Sequence, residues 1–179
     1  NNFFFFFDDG KGWRKVESGT GQRLLAVAMN RSGLAVAVGG FGAVLLSRDR
    51  GESWEPVAFD WQTLVEDFAE PHLYDVAVAE DGTITLVGEF ELVMRSPDGG
   101  ASWVRVHKGE ASLFGLHIGA GGTGYAVGQE GRMLRSSDGG ASWQKATSGM
   151  LSSIHAFDAS NALGDVLVLA ERAGLPQHR

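Results

Sequence analysis

The sequence predicts an all-β fold, a β-propeller of four-stranded antiparallel blades, and three observations carry that reading. An octapeptide pattern, Ser-x-Asp-x-Gly-x-x-Trp, occurs three times: Ser47, Asp49, Gly51, Trp54; Ser96, Asp98, Gly100, Trp103; and Ser136, Asp138, Gly140, Trp143. The segments Arg23 to Trp54, His72 to Trp103 and Ser112 to Trp143 are equal in length with matching apolar positions, so all length variation falls after each Trp. Between the boxes the apolar runs are short, β-rich and separated by turns containing Gly, which is the pattern of an all-β chain. Four such strands in a module of about 40 residues describe a propeller blade, which buries both sheet faces only when neighbours stack on it.

Taken in order, residues 1–18 form a half-blade, in which Phe3–Phe7 and Trp13–Val16 match only the third and fourth strands. A worn box joins them, keeping Asp8, Gly10 and Trp13 but placing Phe6 where Ser stands elsewhere. The first full blade, 19–57, contains the runs Leu24 to Met29, Leu34 to Val38 and Val44 to Leu46. Gly33 separates the first two, as Gly82 and Gly122 do in the later blades, at a hairpin turn that favours positive φ. The second blade, 58–106, opens on the long connection Ala58 to Pro71. This connection holds Asp60, Glu66, Asp67 and Glu70 with no Lys or Arg. Its apolar residues Trp61, Leu64, Val65 and Phe68 fall at i, i+3, i+4 and i+7, predicting a short amphipathic helix with Asp60 as N-cap. The third blade is 107–146. In the last segment, 147–179, Ile154 to Phe157 and Val166 to Leu169 match the first two strands of a further blade. Three complete blades plus two terminal half-blades result. The halves either join as a composite fourth blade or belong to a larger propeller completed from outside, which includes self-association.

Composition narrows the function. The chain has 179 residues, 15 Lys and Arg against 22 Asp and Glu, a formal charge of −7 and no Cys. Disulfides, thiol catalysis and cysteine metal sites are therefore excluded, and the acidic balance argues against nucleic acid as a partner. The apolar stretch Leu34 to Leu46 is too short to cross a membrane, and Asn1 to Phe7 does not resemble a secretory signal. The five histidines show no metal-ligand spacing. Gly119, Gly121 and Gly124 satisfy G-x-G-x-x-G, but a strand follows where a dinucleotide site needs a helix. Neither a cofactor nor a metal is expected.

The box residues are expected to be structural. Asp accepts hydrogen bonds from turn N–H groups, Ser does so more weakly, Gly takes the left-handed position, and Trp packs between sheets. Ser-x-Asp-x-Gly-x-x-Trp is the Asp-box, or bacterial neuraminidase repeat. Together with Gly-Tyr-Ala-Val-Gly at 124–128 and Met-Leu-Arg-Ser-Ser-Asp-Gly-Gly-Ala-Ser-Trp at 133–143, it resembles the photosystem II stability and assembly factor family over nearly the whole chain. That resemblance implies a seven-bladed propeller in the thylakoid lumen or periplasm, acting as a non-catalytic scaffold for membrane complexes. It does not by itself specify a photosystem partner.

Two functional classes follow. In the first, the chain is a protein-binding scaffold. The turns after strands two and four share one face with the variable connections, and there Trp61 and Phe68 either lie against the blade rim or anchor a partner steered by Asp60, Glu66 and Asp67. In the second, it is a sialidase-like glycoside hydrolase or a glycan-binding module, for which Tyr74, with Asp75 and Glu89, is the better-placed of the two tyrosines.

Overall fold

The computed structural model describes residues 15–65 and 70–146 with their side chains, together with the backbone of the strand segments at 2–7, 12–14, 154–158 and 167–170. An antiparallel hairpin of β1 (Asn2–Phe7) and β2 (Gly12–Glu17) comes first. Three four-stranded antiparallel sheets follow. Blade 1 contains β3 (Leu24–Met29), β4 (Ala35–Gly39), β5 (Val44–Ser47) and β6 (Glu55–Pro56). After a helix, α1 (Trp61–Val65), blade 2 contains β7 (Leu73–Val78), β8 (Ile84–Gly88), β9 (Val93–Ser96) and β10 (Val104–His107). Blade 3 contains β11 (Leu113–Ile118), β12 (Gly124–Gly128), β13 (Met133–Ser136) and β14 (Gln144–Ala146). A second hairpin, β15 (Ile154–Asp158) with β16 (Leu167–Ala170), packs on β11 and β12. Among the described residues the two terminal hairpins form separate two-stranded sheets.

In each blade the strands pair with their neighbours in chain order, so each turn is a hairpin and each sheet is a meander. Every residue of β4 and β8 is buried, because the second strand is covered on both faces by adjacent blades. Successive residues of a strand point to opposite faces, and the core divides accordingly. Val36, Val38 and Leu46 of blade 1 pack with Val76, Ile84 and Leu86 of blade 2, whereas Ala35, Ala37, Leu45 and Trp54 face Val16 of β2. Leu113, Leu116, Leu134 and Trp143 join Val87 and Val93 between blades 2 and 3. Trp54, Trp103 and Trp143 thus each pack toward the preceding blade.

Two backbone devices recur. Gly39, Gly88 and Gly128 end the second strand of each blade, where a Cβ would run into the carbonyl of Arg23, His72 or Ser112 in the chain entering the first strand. This close approach accounts for the glycine. The first strand of each blade also carries a register shift, between Leu24 and Ala26, Leu73 and Asp75, and Leu113 and Gly115. These are β-bulges, which re-aim the extra side chain, and the extra residues are Leu25, Tyr74 and Phe114.

Candidate interaction surface

The Asp-boxes form one repeated network. In the first, Ser47 Oγ donates to Asp49 Oδ1 at 2.7 Å and accepts the Gly51 N–H at 2.8 Å, while Trp54 Nε1 donates to the Gly51 carbonyl at 3.1 Å. The second and third boxes repeat each of these bonds. The structure adds a residue that the octapeptide pattern leaves blank. Ser53, Ser102 and Ser142 each bond the Asp carboxylate through both N–H and hydroxyl, at 2.5–3.0 Å. These serines, above all, hold the carboxyls of Asp49, Asp98 and Asp138 down at about 2. Their recurrence before each Trp was the available signal. Asp8 and Gly10 lie outside the described residues, as does the side chain of Trp13.

The opposite end of the blades carries the turns after strands two and four. Each β-turn between strands two and three places two residues at positive φ: Phe41 and Gly42, Phe90 and Glu91, Glu130 and Gly131. In blade 1 this conformation lifts Phe41 into solvent, 57% exposed. From there a row of rings crosses three blades. Phe41 meets His72 edge-on with centroids 5.0 Å apart, His72 stands 6.5 Å from Tyr74, and Tyr74 meets Phe114 edge-on at 5.1 Å. Tyr74 and Phe114 are the bulge residues of blades 2 and 3, so these bulges bring the rings together.

Glu89 anchors this row. One of its carboxylate oxygens accepts the His72 N–H at 2.8 Å. Burial first, then the charge and hydrogen bond of Glu89, push the Tyr74 phenol up. Tyr74 and Glu89 are therefore together, as the sequence suggested, but Asp75 is elsewhere. Its carboxylate accepts the N–H groups of Val76 at 2.8 Å and Leu116 at 2.7 Å, tying β7 to β11 across the blade interface. Burial nevertheless pushes its carboxyl up, against the pull of these two bonds.

Glu91 takes the left-handed position that Gly42 and Gly131 occupy in the other blades, at φ 45°, and its side chain is fully buried. Arg132 Nε of blade 3 lies 2.7 Å from one oxygen, off the line of an ideal hydrogen bond, and His107 Nε2 lies 3.1 Å from the other. This cluster joins blades 2 and 3, and the left-handed backbone costs about 1–2 kcal/mol to hold.

The helix α1 is short. Asp60 caps it, accepting the Thr63 N–H at 3.2 Å and the Thr63 hydroxyl at 2.8 Å, which lowers the Asp60 carboxyl. Trp61 and Val65 are buried. The indole of Trp61 fills the space over Gly42, where a Cβ would strike it, and lies 4.6 Å from Phe59, which meets Trp103 edge-on. Arg105 donates to the Leu64 carbonyl and closes the helix end. Trp61 is thus packed into the rim and not presented on it. Glu66, Asp67 and Phe68 lie outside the described residues.

The same architecture recurs in known proteins. A family model described as photosynthesis system II assembly factor YCF48 matches residues 56–152, more than half of the chain. Among solved structures, "YCF48 bound to D1 peptide" superposes with a TM-score of 0.67 at 21% identity, covering 82% of this chain and 46% of that one. YCF48 from Cyanidioschyzon merolae gives 0.70 at 22%, covering 93% and 57%. The computationally designed Ika4 protein gives 0.62 at 11%, covering 85% and 93%. The chain spans about half the length of the two YCF48 structures. No curated protein matches it.

Proposed function

Since the chain belongs to the photosynthesis system II assembly factor YCF48 family, we propose that it is a non-catalytic scaffold that binds an extended segment of a membrane-complex subunit across the Phe41–His72–Tyr74–Phe114 row. The row carries the reading. It spans three blades, begins at an exposed Phe and includes a Tyr held by Glu89. Rigid aromatic rings with a polar handle are what anchor a partner at low entropic cost. The solved relative described with a D1 peptide supports a protein segment as ligand. Against a glycosidase reading stands the engagement of both nearby carboxylates by backbone, Glu89 at His72 and Asp75 at Leu116, where paired acids would have to converge on a sugar. We place this work in an extracytoplasmic compartment, lumenal or periplasmic, in keeping with the family resemblance.

The test is titration of a fluorescent D1 peptide against the wild type and against Phe41→Ser. Phe41 is exposed, so this variant keeps its stability, and its affinity should fall about tenfold as a lost aromatic anchor. Absence of binding, or equal affinity for both proteins, defeats the assignment of this row.

A further inference from the structure

On the opposite end, among the Asp-box turns, a cleft of about 560 Å³ opens between blades 2 and 3. A difference in sequence between the two blade interfaces explains it. Between blades 1 and 2 the corresponding space is filled by Leu34, Val36 and Leu46, all buried in the core. The same three positions of blade 2 are Thr83, Thr85 and Arg95, and across from them Gly124 replaces Ile84. A packed apolar contact has become a polar hollow of a size ordinary for a small-molecule site.

Two groups at its base have no hydrogen-bond partner. Thr85 Oγ1 and Arg95 Nε are both buried without a hydrogen bond, Thr85 as a whole is 1% exposed, and the Arg95 charge faces the carboxylate of Asp81, which it helps to lower. Buried polar groups left unmatched are costly, and both of these can donate. At the rim stand three carboxylates, each held in place by a neighbouring group. Glu80 meets Arg31, Asp81 accepts the Thr83 N–H at 2.9 Å, and Asp138 is held by Ser136 and Ser142. The apolar walls are Ala77, Val78 and Ile118.

We propose that this cleft binds a small zwitterion of the amino-acid class, its carboxylate on Arg95 and Thr85 and its ammonium toward Glu80, Asp81 and Asp138. An arginine beside a hydroxyl donor fits a carboxylate. Three acids around one cation repel a dianion such as phosphate and attract an ammonium group. The apolar walls leave room for a side chain. The site lies at the far end of the blades from the aromatic row, and neither depends on the other.

Calorimetric titration of the whole chain with each common amino acid, and with acetate and inorganic phosphate, tests it. At least one amino acid should bind at least about tenfold more tightly than acetate or phosphate, since both of its charges are matched. The variant Thr83→Leu/Thr85→Val/Arg95→Leu copies the blade-1 side of the filling between blades 1 and 2, so it should melt no lower than the wild type and lose binding by about tenfold or more. Arg95→Gln provides a milder second variant with the same expected loss. No amino acid binding above acetate, phosphate binding as tightly, or binding unchanged in Arg95→Gln would each overturn the assignment. D1 peptide binding should be the same in these variants, which separates this site from the aromatic row.

Discussion

At the scale of single residues, the box aspartates are the clearest case of chemistry serving the turn. Each carboxylate accepts bonds from two serines, and the three carboxyls sit at about 2 in place of the ordinary 3.8. A carboxyl whose folded pKa is depressed contributes stability that is full above its unfolded value and is lost as pH falls through the folded one. The window therefore runs from 3.8 down to about 2. Asp60 and Asp81, also lowered, act in the same direction. Asp75, raised by burial, acts oppositely, its contribution shrinking as pH rises through its folded pKa. Urea midpoints of the wild type should fall steeply through that acid window. Asp138→Asn should lower the neutral-pH midpoint and flatten the fall, since the amide still bonds but cannot titrate. An unchanged pH profile in Asp138→Asn would show that the box carboxylate does not support the fold. The box is legible in the sequence down to its Ser, Asp, Gly and Trp, but the octapeptide pattern omits the second serine, at 53, 102 and 142, although it recurs in all three copies.

At the scale of elements, the strands follow directly from short apolar runs and glycine turns, because alternation along a strand is a local property. The β-bulges at Leu25, Tyr74 and Phe114 are not legible in the same way. A bulge is a relation of register between two strands, and no single strand announces it, so the alignment of Tyr74 with Phe114 emerges only from the paired sheets. The cleft between blades 2 and 3 is different again. Thr83, Thr85 and Arg95 stand where Leu34, Val36 and Leu46 stand in blade 1, and that contrast is written in the repeat itself. The helix α1 ends at Val65 among the described residues, and its spacing pattern correctly joins Trp61, Leu64 and Val65 on one side. Because Trp61 is 8% exposed and covers Gly42, Trp61→Ala removes a large ring from a packed site. The expected cost is about 3 kcal/mol, read as a lower denaturation midpoint with an unaltered slope. If the aromatic row binds D1 peptide as proposed, its capture by the folded fraction should be the same as in the wild type, because Trp61 is buried and is not one of the rings of that row.

At the scale of the whole molecule, the stacking of blades leaves one face unlike the others. On β3 the residues Leu25, Val27 and Met29 are 42%, 51% and 53% exposed. By register, Val27 lies opposite Ala37 and Met29 opposite Ala35, on the side where the hairpin of β1 and β2 packs through Val16. Val16 of that hairpin packs against Ala35, Ala37 and Leu45, while Leu25, Val27 and Met29 of the inner strand stay partly open. A neighbouring pair of inner strands would bury three large apolar side chains there, each worth about 1.5–3 kcal/mol when fully covered. Such a pair can come from chain that precedes this segment in a longer protein, or from a second copy through its own β15 and β16, which match first and second strands in sequence. For these 179 residues on their own, where only a second copy is at hand, the mass measured by light scattering should therefore rise with concentration above the 19.1 kDa of one chain. Replacing Val27 and Met29 by Lys should hold the chain at its single-chain mass without lowering its denaturation midpoint, since both side chains are already half in water. A concentration-independent mass of one chain in the wild type would show that this face stays uncovered, and association that survives both lysines would place the contact elsewhere on the blades.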